Sequence, residues 1–439
     1  MWALYVVESE SSSGDYKKIE VEKMMANSHI GKIIACQECD HFYSYEVIPL
    51  GAQANCQHCG NLLYRSIPDS INRSLALYLT ALILFFIANI FPFLSLELGG
   101  RIVDNLLFSS GWAMYKLGMG ELGLLIFLTS ILFPFTVIVG MLYLLIPARF
   151  GKAAPYTPQV YRIVNSIDPW CLVGVFMLGV LIAIVKLQDL ATVVTGPSLI
   201  AFTLLLLVYT AARANFDPND LWLLNESSSP QIPIEKLANH KFLNCQVCGL
   251  LARDTGEKQK CIRCYSPLHY RKKNSLETTW ALLIAAFVLL IPANIYPVMT
   301  VIRFGQGEPN TILSGVLHLI ESGMWGLAMI VFVASIVVPV MKLIILCFLL
   351  ISVQKKSLWR PRDRTLLYRV TEIVGAWSMV DIYLVGLLSS LVSLDALSTI
   401  RPGIGAIFFA SVVVITMFAA HSFDPRLMWD QIKEESNKG

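Results

Sequence analysis

The chain has 439 residues, 55% of them apolar and only 15% charged, with a formal net charge of +3. That composition lies outside the range of ordinary soluble domains, and nucleic acid is not an expected partner. Several windows exceed the roughly 18 nearly uncharged residues needed to cross the hydrocarbon core of a bilayer, so the expected class is an all-α polytopic membrane protein.

Residues 1–30 are polar, charged and rich in serine, unlike an apolar signal core, and are expected to form a loose tail. A first cysteine cluster follows within 31–68: Cys36-x2-Cys39, sixteen residues, then Cys56-x2-Cys59. Residues 69–225 hold four apolar stretches, at roughly 75–95, 121–147, 170–190 and 197–214. The stretch 226–273 is a linker plus a second cluster: Cys245-x2-Cys248, twelve residues, then Cys261-x2-Cys264. Residues 274–430 hold four more apolar stretches, at roughly 278–300, 325–352, 377–396 and 402–420, before a short tail, 431–439. The expected architecture is thus two tandem four-helix transmembrane domains, each preceded by a small ribbon.

The halves repeat their landmarks in order. Asn89-Ile-Phe-Pro92 answers Asn294-Ile-Tyr-Pro297, Pro134 answers Pro339, Trp170 answers Trp377, and Phe216-Asp217-Pro218 answers Phe423-Asp424-Pro425. Pro92, Pro134, Pro297 and Pro339 are expected to kink their helices. Segment 308–324 and its counterpart 103–118 look amphipathic and suited to the membrane surface.

Paired C-x2-C knuckles are a strong zinc-ribbon signal. Each knuckle turns tightly enough to aim two thiolates at one tetrahedral ion, and modules this small need metal to fold. Two structural zinc ions are therefore the expected cofactors. A rubredoxin-like iron site and a redox dithiol pair are the alternatives, and His58, inside a knuckle, is a competing ligand. Four protein ligands leave no open position for catalysis. No stretch of the form G-x-x-x-x-G-K-[ST] is present to cradle a nucleotide, and no enzyme activity is expected.

Lys and Arg crowd alternate loops: Arg149, Lys152 and Arg162; then Arg213 to Lys273; then Lys355 to Arg369. Excess positive charge marks the cytoplasmic side, so both termini and both clusters are expected there. Within the spans, charge falls unequally on the two halves. The second half has Lys342 and Asp381 where the first has Val137 and Gly174. Helical rise puts both charges at similar depth, where an ion pair is reasonable, with the hydroxyls of Ser335, Ser378 and Thr416 on adjacent faces. Such residues mark ion or substrate pathways, so this set reads as a proton relay; a static polar clamp is the alternative. Lys186 and Asp189 are expected to anchor an outer helix end, Asp168 to start a helix, and His421 and Asp424 to lie at a solvated terminus.

The two ribbons, the Asn-Ile-Phe/Tyr-Pro repeat, Trp377-Ser-Met-Val-Asp381 and the repeated Phe-Asp-Pro resemble the paraquat-inducible protein A family from about Ile34 to Asp430. Within it the chain is most similar to the LetA branch. The resemblance implies a tetraspanin-like outline for each membrane domain and a place in a bacterial inner membrane. It implies phospholipid as cargo and a LetB-type periplasmic MCE-domain protein as partner. It also implies proton coupling through Ser335, Lys342, Ser378, Asp381 and Thr416. A passive anchor for the periplasmic tunnel and a metal-responsive sensor are the rival readings.

Overall fold

In hydrocarbon, a spanning segment must satisfy its own backbone hydrogen bonds, which favours helices wherever apolar residues run long enough. The computed structural model describes residues 33–98, 101–188, 192–224, 242–256, 259–303, 306–391, 393–394 and 398–436. Among them eight helices are long and apolar enough to cross a membrane. The expected tail at 1–30, and Asp189, lie outside the described residues.

The first ribbon is two antiparallel hairpins, β1 (Ile33–Ala35) with β2 (Phe42–Ser44), and β3 (Gln53–Asn55) with β4 (Leu62–Arg65). Helix α1 (Ser70–Ile90) makes the first crossing. Strands β5 (Leu94–Leu98) and β6 (Arg101–Asn105) form a hairpin beyond it, and the short helix α2 (Leu107–Lys116) follows. The second crossing is α3 (Gly120–Phe127), a π turn (Leu128–Leu132) and α4 (Phe133–Arg149). The third joins α5 (Thr157–Ile167), a 3₁₀ turn (Asp168–Trp170) and α6 (Val173–Gln188). Strand β7 (Thr192–Thr195) leads to the fourth crossing, α7 (Pro197–Asn215), and the short α8 (Pro218–Leu223).

The second half repeats the plan. Its ribbon carries β8 (Phe242–Asn244) and β9 (Leu251–Arg253). Then come α9 (Ser275–Ile295), β10 (Met299–Arg303), β11 (Gln306–Asn310) and α10 (Ile312–Glu321). The sixth crossing is α11 (Trp325–Phe332), a π turn (Val333–Val337) and α12 (Val338–Gln354). The seventh is α13 (Pro361–Gly375), a 3₁₀ turn (Ala376–Met379) and α14 (Val380–Leu391). Strands β12 (Ser393–Leu394) and β13 (Ser398–Pro402) precede α15 (Ile404–Ser422) and α16 (Leu427–Ser436).

The chain is mostly helical, as expected, but each bundle also carries a small antiparallel sheet at the end opposite the ribbons. The first has strand order β6-β5-β7 and the second β11-β10-β13-β12. These strands correct two expectations. Pro92 and Pro297 do not kink helices: α1 and α9 stop at Phe91 and Tyr296, which are extended, as residues before proline prefer to be. Segment 308–324 begins as strand, and its helix starts only at Ile312, behind a capping box made by Thr311 and Ser314. Pro134 and Pro339 each follow a π turn, which places an irregular backbone at matching points in both halves.

Within each bundle the first and fourth crossings pack along their length, α1 on α7 and α9 on α15. The bundles meet through α14, which packs on α2, α3 and α6. Every residue from Ser378 to Ser390 is buried, as expected for a helix apolar all round. Gly179 and Gly386 make this approach possible: a Cβ on Gly179 would stand 3.1 Å from Tyr383 Cβ, and one on Gly386 2.5 Å from Ile126 Cδ1. The Tyr383 hydroxyl crosses the seam to donate to Thr129 Oγ1 at 2.7 Å, inside the first bundle's π turn.

The ribbons dock crosswise. The first ribbon's cysteines share a core with Leu283, Leu343, Tyr368 and Trp429 of the second half. The second ribbon's Arg263 lies over the Trp222 ring at 5.6 Å, and Trp222 packs edge-on to Tyr161 of the first half. The ribbons touch each other where Asn244 Nδ2 donates to the Ala35 carbonyl at 3.2 Å.

Candidate metal centres and membrane site

Each knuckle is closed by one residue in the left-handed region: Asp40, Gly60, Gly249 and Tyr265, with φ of 58°, 75°, 70° and 55°. That turn lets the residue after the second cysteine donate its N–H to the carbonyl of the first, as in Gly60 to Cys56 at 2.7 Å and Gly249 to Cys245 at 2.9 Å. The sulfurs then converge. Cys36 and Cys59, and Cys39 and Cys56, stand 3.5 Å apart. In the second ribbon Cys245 and Cys264 are 3.4 Å apart, and Cys248 and Cys261 3.5 Å. All four sulfurs of each set lie within 4.8 Å of one another. A tetrahedral ion with metal–sulfur bonds of about 2.3 Å needs sulfur–sulfur edges of about 3.8 Å, so both sets fit one ion.

Electrostatics supports the same conclusion. The Cys56 and Cys261 thiols are pushed far below the usual range by hydrogen bonds with Cys36 and Cys245, while those of Cys39 and Cys248 are pushed up by the same two neighbours. Four crowded thiols cannot all ionise without a cation to hold the charge. His58 lies outside the sulfur set. It stacks on His41 with ring centroids 3.9 Å apart and meets Trp429 edge-on.

In the second bundle, the elements carrying the sequence-selected polar residues converge. The π turn bearing Ser335 packs on the 3₁₀ turn bearing Ser378, and that turn also packs on α12, which carries Lys342, and on α15, which carries Thr416. Ser335, Lys342, Ser378, Asp381 and Thr416 are all buried. Two of the hydroxyls are turned to backbone: Ser335 Oγ donates to the Val331 carbonyl at 2.6 Å and Thr416 Oγ1 to Val413 at 2.9 Å.

The Lys342 ammonium lies over Gly375, where a Cβ would come within 2.5 Å of its Nζ. Asp381 lines a groove of about 500 Å³, open mouth included, with Ile182, Val298, Ile312, Leu319, Val331 and Leu384. Ile182 belongs to the first bundle, so the groove lies on the seam, beside the outer sheet and α10. Asp381 is the one charged residue among those that line it.

Sequence reasoning also missed several polar contacts. Asp168 does not merely start a helix: it accepts from the Tyr209 hydroxyl at 2.8 Å and pairs with Arg213 at 2.5 Å. In the repeat, Asp168 answers Gly375 and Tyr209 answers Thr416, so the first bundle has a polar cluster of its own at the matching place. The expected solvated terminus at Asp424 is instead buried. Asp424 is 1% exposed and takes a bidentate pair from Arg426, at 2.9 and 2.8 Å. The signal for both was available in register: each acid has a cation or hydroxyl on a neighbouring turn or on the next crossing.

The model of the family described as paraquat-inducible protein A matches residues 71–225 and 276–433. The chain belongs to that family. It is 30% identical over 423 residues to the protein called intermembrane transport protein PqiA in Escherichia coli strain K12, covering 94% of this chain and all of the relative. It is equally 30% identical over 414 residues to the lipophilic envelope-spanning tunnel protein A of the same strain, covering 94% of this chain and 95% of that one. A probable intermembrane transport protein of Haemophilus influenzae is 30% identical, covering 91% of this chain and 96% of its own. No solved structure matches significantly.

Proposed function

We propose that the chain is the membrane subunit of an intermembrane phospholipid transport system. In this reading it sits in a bacterial inner membrane with ribbons and termini cytoplasmic, and it exchanges lipid with a periplasmic MCE-domain protein. Its relatives' names as intermembrane transport proteins support the transport reading, and the placement of Lys and Arg supports the orientation. Two zinc ions would hold the ribbons.

The observation that carries the proposal is the apolar groove on the bundle seam with one carboxylate in its wall. Apolar clefts with few polar groups are the usual form of a ligand site, and acyl chains suit such walls. Asp381 takes and releases the proton from the outer side. Lys342, buried beside Gly375, holds the complementary charge from the ribbon side, and Ser335, Ser378 and Thr416 line the turns between. Coupling between the two groups runs through the 3₁₀ turn, which packs on α12 and leads into α14. Each proton descending 100 mV releases about 2.3 kcal/mol, and no chemical catalysis is involved.

The test is transfer of labelled phospholipid by the reconstituted chain and its partner, with and without a proton gradient. Asp381→Asn and Lys342→Ala are expected to lower gradient-driven transfer at least ~10-fold, with protein level and partner binding unchanged. Full transfer by both variants would leave only a passive anchor.

A further inference from the structure

The first ribbon precedes the first bundle in sequence, yet its metal knuckles rest on the second. Three lines of contact make the joint. Arg369 on α13 donates from Nε to both Glu38 oxygens, at 2.9 and 2.7 Å, and from its terminal nitrogen to the Cys59 carbonyl at 3.1 Å; that nitrogen is 3.6 Å from Cys59 Sγ. Arg271 bridges Asp40, beside Cys39, at 2.9 Å and Asp430 on α16. His58 lies edge-on to Trp429, whose indole donates to Thr365 on α13 at 3.0 Å. The second ribbon's own metal knuckles rest instead, through Arg263, on Trp222 of the first bundle.

Four thiolates around a divalent cation leave a net negative charge, and donors to ligand atoms orient the ligands and tune the metal. Arg369 is placed to answer that charge, with a charge-assisted contact to a ligand sulfur. Arg369 thus contacts both knuckles, Glu38 in one and Cys59 in the other, and without metal nothing fixes the two relative to each other. Helix α13 continues through the 3₁₀ turn into α14, so a change in its seating is carried toward Ser378 and Asp381.

We propose that the first ribbon is a metal-dependent clamp on the second bundle. Metal held by Cys36, Cys39, Cys56 and Cys59 fixes α13 through Arg369, and so sets the position of the turn that carries Ser378 and Asp381. Arg369 is a positioning residue here, with no contact to cargo. The clamp rests on the metal reading of the cysteines and is independent of lipid or proton transport, so loss of either transport reading leaves the following outcomes unchanged.

The test uses the full zinc-loaded chain in detergent, with amide exchange read on α13 and α5 and metal release to a chelator followed in time. Cys36→Ser with Cys39→Ser is expected to speed exchange in α13 and not in α5; Cys245→Ser with Cys248→Ser is expected to do the reverse. Arg369→Gln keeps every ligand. It is expected to speed release of one of the two ions by about 10–100-fold, leave the other unchanged, and loosen α13, with partial rescue by Arg369→Lys. Unchanged release of both ions in Arg369→Gln overturns the clamp, as does an uncrossed exchange pattern. Should the cysteine variants not fold, the Arg369 variants decide the question alone.

Discussion

Asp220 is the carboxylate outside the spans most at odds with its surroundings. Burial and the charge of Asp217 push it up to about 6, against a hydrogen bond with Ser70 that lowers it. An acid raised on folding contributes stability that is complete below its unfolded value, near 4, and lost as pH rises through 6. At neutral pH the protein therefore carries the cost of that charge. Asp220→Asn is expected to raise stability near pH 7 by about 1–2 kcal/mol, a figure discounted for partial exposure, and to change little near pH 4; thermal unfolding at the two pH values checks it. Asp381 and Lys342 were legible as residues because a charge in an apolar run has few innocent explanations. The seat of the Lys342 head group was not legible. Helical rise gives depth but not azimuth, and the slot beside Gly375 exists only once α12 and α13 are packed.

At the scale of elements, the outer sheets hold the tops of the bundles together. Gly196 and Gly403 begin α7 and α15 against the ends of the preceding turns. A Cβ would stand 2.0 Å from the Pro92 oxygen at Gly196 and 2.1 Å from the Pro297 oxygen at Gly403. Backbone cannot retreat as a side chain can. Gly403→Ala is expected to cost about 1–3 kcal/mol, seen as a lower midpoint of thermal unfolding, whereas Gly118→Ala meets no atom within 4 Å and is strained only by its positive φ. The spans themselves were readable, since length and lack of charge decide them. Their ribbon-side ends were not: spans three and seven begin at Thr157 and Pro361, well before the expected 170 and 377, because Arg162, Arg362, Arg364 and Arg369 disguise the first turns as loop. The strands were hidden for another reason. They are short, and β10 finds β13 across the whole of two intervening crossings, a pairing that no local pattern specifies.

At the scale of the molecule, the two halves repeat in plan and are locked together along one seam. Helix α14 is enclosed on all sides by both bundles, and the seam closes only because Gly179 lets Tyr383 approach. Gly179→Leu is expected to force the bundles apart locally and break the Tyr383–Thr129 hydrogen bond. The outcome to measure is a loss of about 1–3 kcal/mol in stability together with impaired lipid transfer, while the metal content of both ribbons stays unchanged. The convergence of the two cysteine sets was legible almost completely, because knuckle spacing fixes it, but which bundle each ribbon docks on was written only in distant pairs such as Arg369 with Glu38.

That crosswise seating has a consequence for biogenesis. A ribosome makes the first ribbon hundreds of residues before α13 and α16 emerge, so the earliest module of the chain spends most of synthesis without its landing surface. An ion taken up by its cysteines can be captured at once, but docking must wait for α13 and α16, whose arrival becomes the event that locks the ribbon in place.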